Sequence, residues 1–160
     1  MHTWLLLHYR VPREPSASRV YVWRKLKRLG ALLLHDAIWV LPYTPRTREQ
    51  LQWLAAEISE LEGEAVLWET RLLPGGSLQE ESLVRQFTAQ AEALYTEIDT
   101  ALEGLTPDLT TLSRKYRQAS LQDYFHSQAG QLLRQKLIAA GEEAQLNDRV
   151  NHQKEGTNKG

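Results

Sequence analysis

Apolar and polar positions change rhythm several times along the chain. In residues 3–10, Trp4, Leu6 and His8 interleave with Leu5, Leu7 and Tyr9. Neither side of that run is polar, so it reads as a strand covered on both faces and ended by Val11-Pro12. Residues 18–29 switch to helical spacing, with Val22, Trp23, Leu26 and Leu29 on one face. Ser16 or Ser18 suits the N-cap, and Gly30 suits the left-handed stop. Residues 31–35 and 37–41 read as two strands around Asp36, the second closed by Pro42. Residues 47–62 return to helical spacing, with Leu51, Leu54, Ala55, Ile58 and Leu61 inward. Thr47 with Gln50 forms a capping-box pair, and Gly63 is the expected stop. Residues 64–72, with Val66, Leu67 and Trp68, supply a last strand.

The order strand, helix, strand, strand, helix, strand is that of the split-βαβ, ferredoxin-like motif, an α+β fold with an antiparallel sheet. Such a sheet normally wets its second face. Here both faces are apolar, which calls for a cover: C-terminal helices or a second copy of the chain. Pro74-Gly75-Gly76-Ser77 marks a turn or short linker after residues 1–73. Beyond it, residues 78–145 form a helical extension expected to pack on the sheet domain. Residues 79–103 bear Val84, Phe87, Ala91, Leu94, Ile98 and Ala101 at steps of three and four. Leu109, Leu112 and Tyr116 mark a second helix, and Leu132, Leu133, Leu137 and Ile138 a third that stops at Gly141. A helical hairpin or small bundle is the simplest arrangement. Residues 146–160 are polar and read as a disordered tail.

Composition narrows the class. With 160 residues, 42% hydrophobic and 24% charged, the chain is an ordinary globular one. It contains no cysteine, which excludes disulfides, thiolate nucleophiles and cysteine-ligated metal centres. The apolar run at residues 4–7 is too short for a signal or a membrane span. A cytoplasmic protein without membrane association is expected.

The net charge of -1 hides a division. Residues 1–48 hold nine Lys/Arg and two acids, a net of +7, against -8 for the remainder. Five of those bases, Arg19, Arg24, Lys25, Lys27 and Arg28, fall on the first helix. At helical spacing Arg24 and Arg28 share a face with Val20 and Tyr21, and Lys25 and Lys27 flank it. Such a ridge suits phosphates or another oxyanion. It equally suits a solvated face that complements the helix C-terminus, or pairing with the acidic second half.

Other chemistry is sparse. His35-Asp36 and His8 lack a third ligand at metal spacing. No P-loop, nucleophile elbow, zinc-protease or dinucleotide motif is present. Asp123-Tyr124-Phe125-His126 reads as a helix-end anchor, and the tryptophans read as core rather than base-stacking platforms. No catalytic residue, metal or cofactor is implied.

A longer series of residues is distinctive. It runs from Trp4-Leu5-Leu6-Leu7 and Pro15-Ser16 through Arg19-Val20, Trp23-Arg24-Lys25-Leu26-Lys27-Arg28-Leu29-Gly30-Ala31 and Ile38-Trp39-Val40-Leu41-Pro42. Thr44-Pro45-Arg46-Thr47, Gln50, Trp53-Leu54-Ala55-Ala56-Glu57-Ile58 and Gly63-Glu64-Ala65 follow. This resembles the N-terminal domain of the chromate-resistance ChrB family, as do Asp123-Tyr124-Phe125 and Gly130 further on. The family is described as chromate-responsive regulators of chromate-efflux operons. The resemblance implies a non-enzymatic, homodimeric regulator that meets promoter DNA, chromate or a related oxyanion, or both. It assigns the binding role to Arg19, Arg24, Lys25, Lys27, Arg28 and Arg46. An oxyanion-handling protein without DNA is the second reading.

More distantly, the pattern is similar to the central domain of the phenylacetate repressor PaaX, and through it to the small ferredoxin-like endoribonuclease of CRISPR adaptation. That nuclease type needs an acid near the end of the first strand. The corresponding His8-Tyr9-Arg10-Val11-Pro12 has none, so a nuclease relic is the third reading only.

Overall fold

The structure is a computed structural model and describes residues 1–157. It divides into two compact units, Met1–Phe87 and the residues from Thr88 onward.

The first unit holds β1 (Trp4–Arg10), α1 (Ser16–Leu29), β2 (Leu32–Leu34), β3 (Ile38–Pro42), α2 (Pro45–Glu60) and β4 (Glu64–Thr70). The strands lie in the order β2-β3-β1-β4, all neighbours antiparallel. This is the split-βαβ arrangement expected from the element order. The register sets Leu5, Leu7, Trp39 and Leu41 on one face, all buried. They pack with Val22, Leu26 and Leu29 of α1 and Leu51, Leu54 and Ile58 of α2. The other face holds Trp4, Leu6, Val40 and Trp68. Its Trp4 end is covered by the start of α3 (Glu80–Leu102). Phe87 stacks on Trp4 at 5.9 Å, and Glu80 Oε1 accepts the indole N–H at 3.0 Å and the His2 amide at 2.8 Å. Those two donors hold the Glu80 carboxyl below its usual pKa. At the β4 side of this face Trp68 and Val66 are exposed.

Several details depart from the sequence expectations. The side-chain oxygen capping α2 comes from Thr44, and Pro45 starts the helix; the reciprocal capping box pairs Thr44 with Thr47 rather than Thr47 with Gln50. Thr47 is fully buried, its hydroxyl bonded to the Pro42 carbonyl at 2.7 Å. Pro15, not a serine, precedes α1, without a side-chain cap. Gly30 does stop α1 with φ 77°, its N–H and that of Ala31 closing on the carbonyls of Lys27 and Leu26. At the end of α2 the left-handed residue is Glu62, φ 61°. Gly63 serves a different need: a Cβ there would lie 2.5 Å from the Arg10 carbonyl oxygen and 2.9 Å from Ile58. His35 and Asp36, at φ 50° and 59°, are the two left-handed central residues of the β2–β3 hairpin, as a type I′ turn requires.

The second unit is helical. Ala91, Tyr95 and Ile98 of α3 form a core with Leu112 and Ala119 of α4 (Leu109–Ser120) and Leu133 of α5 (Gln128–Thr157). Asp108 caps α4, bonding the Thr111 amide and hydroxyl. The buried stripe of α3 runs Leu83, Phe87, Ala91, Tyr95, Ile98, so Leu83 and Tyr95 displace Val84 and Leu94 from the expected set, and Ala101 is exposed. α5 does not stop at Gly141. Strong helix formers follow that glycine, and they offset its loss of about 1 kcal/mol. The stretch from residue 146, expected as a disordered tail, is helical to Thr157; the rest of that expectation lies outside the described residues.

A buried polar cluster closes this unit. Asp123 accepts the Ser127 amide at 3.0 and 3.1 Å, the Ser127 hydroxyl at 3.2 Å and the Tyr95 hydroxyl at 3.0 Å. Tyr116 stacks on Tyr95 and donates to the Gly130 carbonyl. A Cβ on Gly130 would lie 2.7 Å from the Tyr95 ring, so the close approach needs glycine. The expected anchor at Asp123-Tyr124-Phe125-His126 is therefore a hydrogen-bonded joint centred on Asp123.

Candidate nucleic-acid interface

The basic residues can now be placed. Counting about 100° per residue, the buried positions of α1, Ser18, Val22, Leu26 and Leu29, occupy one arc. Arg24, Lys27 and Val20 lie opposite and are exposed. Tyr21, Lys25 and Arg28 fall on the flank toward α2, while Arg19 and Trp23 fall on the other flank. Trp23 was expected inward with Val22; it is about 100° from Val22 on the wheel and is 50% exposed. Ser18, small enough to pack closely, takes the inward place instead.

On α2, Arg46, Gln50, Trp53 and Glu57 follow at steps of four, three and four and share one stripe. That stripe meets α1. Lys25, Arg28, Gln50, Trp53 and Glu57 line one small depression between the two helices. Tyr21 donates to Glu57 Oε2 at 2.7 Å, and Lys25 Nζ stands 4.0 Å from Glu57 Oε1 and 5.4 Å from the Tyr21 ring centre. A second, shallower depression on the other flank of α1 is lined by Tyr9, Ser16, Arg19, Val20 and Trp23. Burial raises the Tyr9 hydroxyl above its ordinary pKa, and Trp39 hydrogen-bonds it. Lys27 Nζ lies 6.0 Å from the Trp23 ring centre.

The six bases therefore divide. Lys25 and Arg28 line the groove between the helices, with Arg46 on the α2 stripe that borders it. Arg24 stands on the crest, and Arg19 and Lys27 attend Trp23. Arg19 and Arg24 make no ion pair with any described residue. Lys25 is engaged weakly by one acid of this layer, Glu57. Trp53, 57% exposed, was missed as a surface residue. Its signal was in the sequence: it sits off the inward Leu51–Leu54–Ile58 stripe and on that of Arg46 and Gln50. Among the described residues no three His, Asp or Glu side chains gather as a metal site, and no helix is long and apolar enough to cross a membrane.

A four-stranded antiparallel sheet whose helix layer presents basic residues and two tryptophans outward defines a small α+β domain of the ferredoxin-like class. Residues 19–103, more than half of the chain, match the family model described as Protein ChrB, N-terminal. The chain belongs to that family and is, on that footing, a chromate-resistance-associated protein. The match contains all six bases and both exposed tryptophans of the helix layer, and it leaves out β1, Asp123 and Gly130. A stretch of 60 residues is 40% identical to Protein ChrB of Cupriavidus metallidurans (strain ATCC 43123 / DSM 2839 / NBRC 102507 / CH34), covering 38% of this chain and 18% of that protein. The shared stretch thus spans less than a fifth of the relative's length.

Proposed function

We propose that this chain is a non-enzymatic regulatory module that binds nucleic acid, promoter DNA in the first instance, through the outer face of α1 and α2. The observation that supports it most is the gathering of Arg19, Arg24, Lys25, Lys27 and Arg28 on the outer face and flanks of one helix, with Arg46 on the neighbouring stripe of α2. Arg19 and Arg24 are exposed and make no ion pair with any described residue, which leaves their charge open to phosphate. Binding of this kind releases counterions, so log Kd rises steeply and linearly with log salt. A gel-shift and anisotropy titration on DNA upstream of its own gene, between about 50 and 200 mM salt, is expected to show a slope near the number of phosphates engaged, roughly four to six. Absence of any complex at the lowest salt overturns the reading.

Glu57 offers a more local check. Its carboxylate is the one acid in the groove and offsets Lys25. Glu57→Gln keeps an acceptor for the Tyr21 hydroxyl and removes the charge. A several-fold gain in DNA affinity at low salt is the expected outcome, with little change in melting temperature.

A second reading has its own observation. Lys25, Arg28 and Gln50 surround one depression and offer several donors to a tetrahedral oxyanion. Calorimetry with chromate and with sulfate distinguishes it, since a surface that recognises only nucleic acid gives no heat with either.

A further inference from the structure

We infer that the α1–α2 face takes single-stranded nucleic acid, with unpaired bases stacking on Trp23 and Trp53 while the neighbouring cations hold the phosphates. The inference rests on the nucleic-acid reading above and specifies the state of the strand.

Phosphate binding alone needs no indole. Trp is on average among the most buried side chains, and its exposed ring is apolar surface left in water. Trp4 and Trp39 follow that rule; Trp23 and Trp53 do not, at 50% and 57% exposed. Both stand on the helix layer, and each lines its own depression in the company of arginine: Trp53 with Lys25 and Arg28, Trp23 with Arg19. A flat ring beside basic side chains therefore occurs twice on the same helix layer. That is the combination by which proteins hold single strands, where stacking on aromatic rings supplies sequence-tolerant affinity and cations track the backbone. A duplex hides its base faces inside the stack and offers an indole little. Trp68 is equally exposed, but it lies on the edge strand β4, on the Trp4–Leu6 face of the sheet rather than among these bases, and so serves as the internal comparison.

The test uses the full chain and a labelled mixed-sequence strand about 16 nucleotides long, alone and annealed to its complement. Anisotropy at low salt is expected to show the single strand binding at least tenfold more tightly than the duplex. Trp23→Ala and Trp53→Ala each weaken single-strand binding about tenfold, the Phe variants restore most of it, and Trp68→Ala leaves it unchanged. Circular dichroism confirms that each variant remains folded. Equal or tighter duplex binding, or Trp variants that bind as the parent does, overturns the inference and leaves the phosphate-binding reading standing. Failure to bind either form overturns both.

Discussion

Replacing Arg24 and Arg28 together by glutamate is expected to abolish nucleic-acid binding at moderate salt while the protein stays folded. The two residues stand on and beside the crest of α1, with Val20 and Tyr21 on either side of them on the wheel. Reversal removes two cations and introduces two anions, a change of four charges on one helix face. The loss of attraction alone lowers the salt slope by about two. The added repulsion pushes the remaining affinity beyond measurement. Stability responds much less. Exposed substitutions of this kind move it by roughly 0.5 kcal/mol. Arg28 adds a little, because it lies in the last turn of α1, where a cation complements the helix dipole by about 0.3–1 kcal/mol. Gel shift and thermal denaturation on the same sample decide the matter. A large fall in melting temperature instead assigns these arginines to holding the fold.

The second large effect lies in the other unit. Asp123→Ala is expected to destabilise the helical unit by about 2–3 kcal/mol, because it removes the acceptor of a buried tyrosine hydroxyl and of a buried amide at once. For a unit of this size that is a drop in melting temperature of order 10 °C. Asp123→Asn keeps the shape and one acceptor oxygen, and should recover part of the loss. The same joint has an alkaline signature. Burial, then the Asp123 charge and bond, raise the Tyr95 hydroxyl well above its ordinary value near 10. The folded state thus keeps its proton where the unfolded chain gives it up. This contribution is whole below about pH 10 and is lost as pH climbs toward the folded value. Tyr95→Phe should flatten that alkaline decline, which denaturant melts at pH 8 and above pH 10 would read.

Much of this molecule was legible in its sequence, for identifiable reasons. The strands announced themselves because Leu5, Leu7, Trp39 and Leu41 must all be apolar to sit beneath two helices. Gly30 announced the end of α1 because the stop is made there by a left-handed residue. Where the reading slipped, a tertiary demand had outranked a local signal. Trp23 looked like core by composition, yet the inward arc of α1 was already filled by Val22, Leu26 and Leu29, and only a serine fits beside them. Gly63 looked like the stop of α2, yet Glu62 turns left-handed so that Gly63 can pass against the Arg10 carbonyl. Gly141 looked like a stop and is an interior helical residue. The basic residues of the candidate interface were visible as charges from the start. Their partners Trp53 and Gln50 were not, since the contact between α1 and α2 joins positions some twenty-five residues apart.

The distribution of the tryptophans has a spectroscopic consequence. All five lie within Met1–Phe87 and none in the second unit. Indole emission therefore watches the sheet unit alone, with three solvent-facing rings shifting it toward the red and open to acrylamide, and two sheltered ones contributing the bluer share. Far-ultraviolet dichroism, dominated by α3, α4 and α5, weighs the helices instead. Following one denaturation by both signals measures how strongly the two units unfold together, with no label added to the chain.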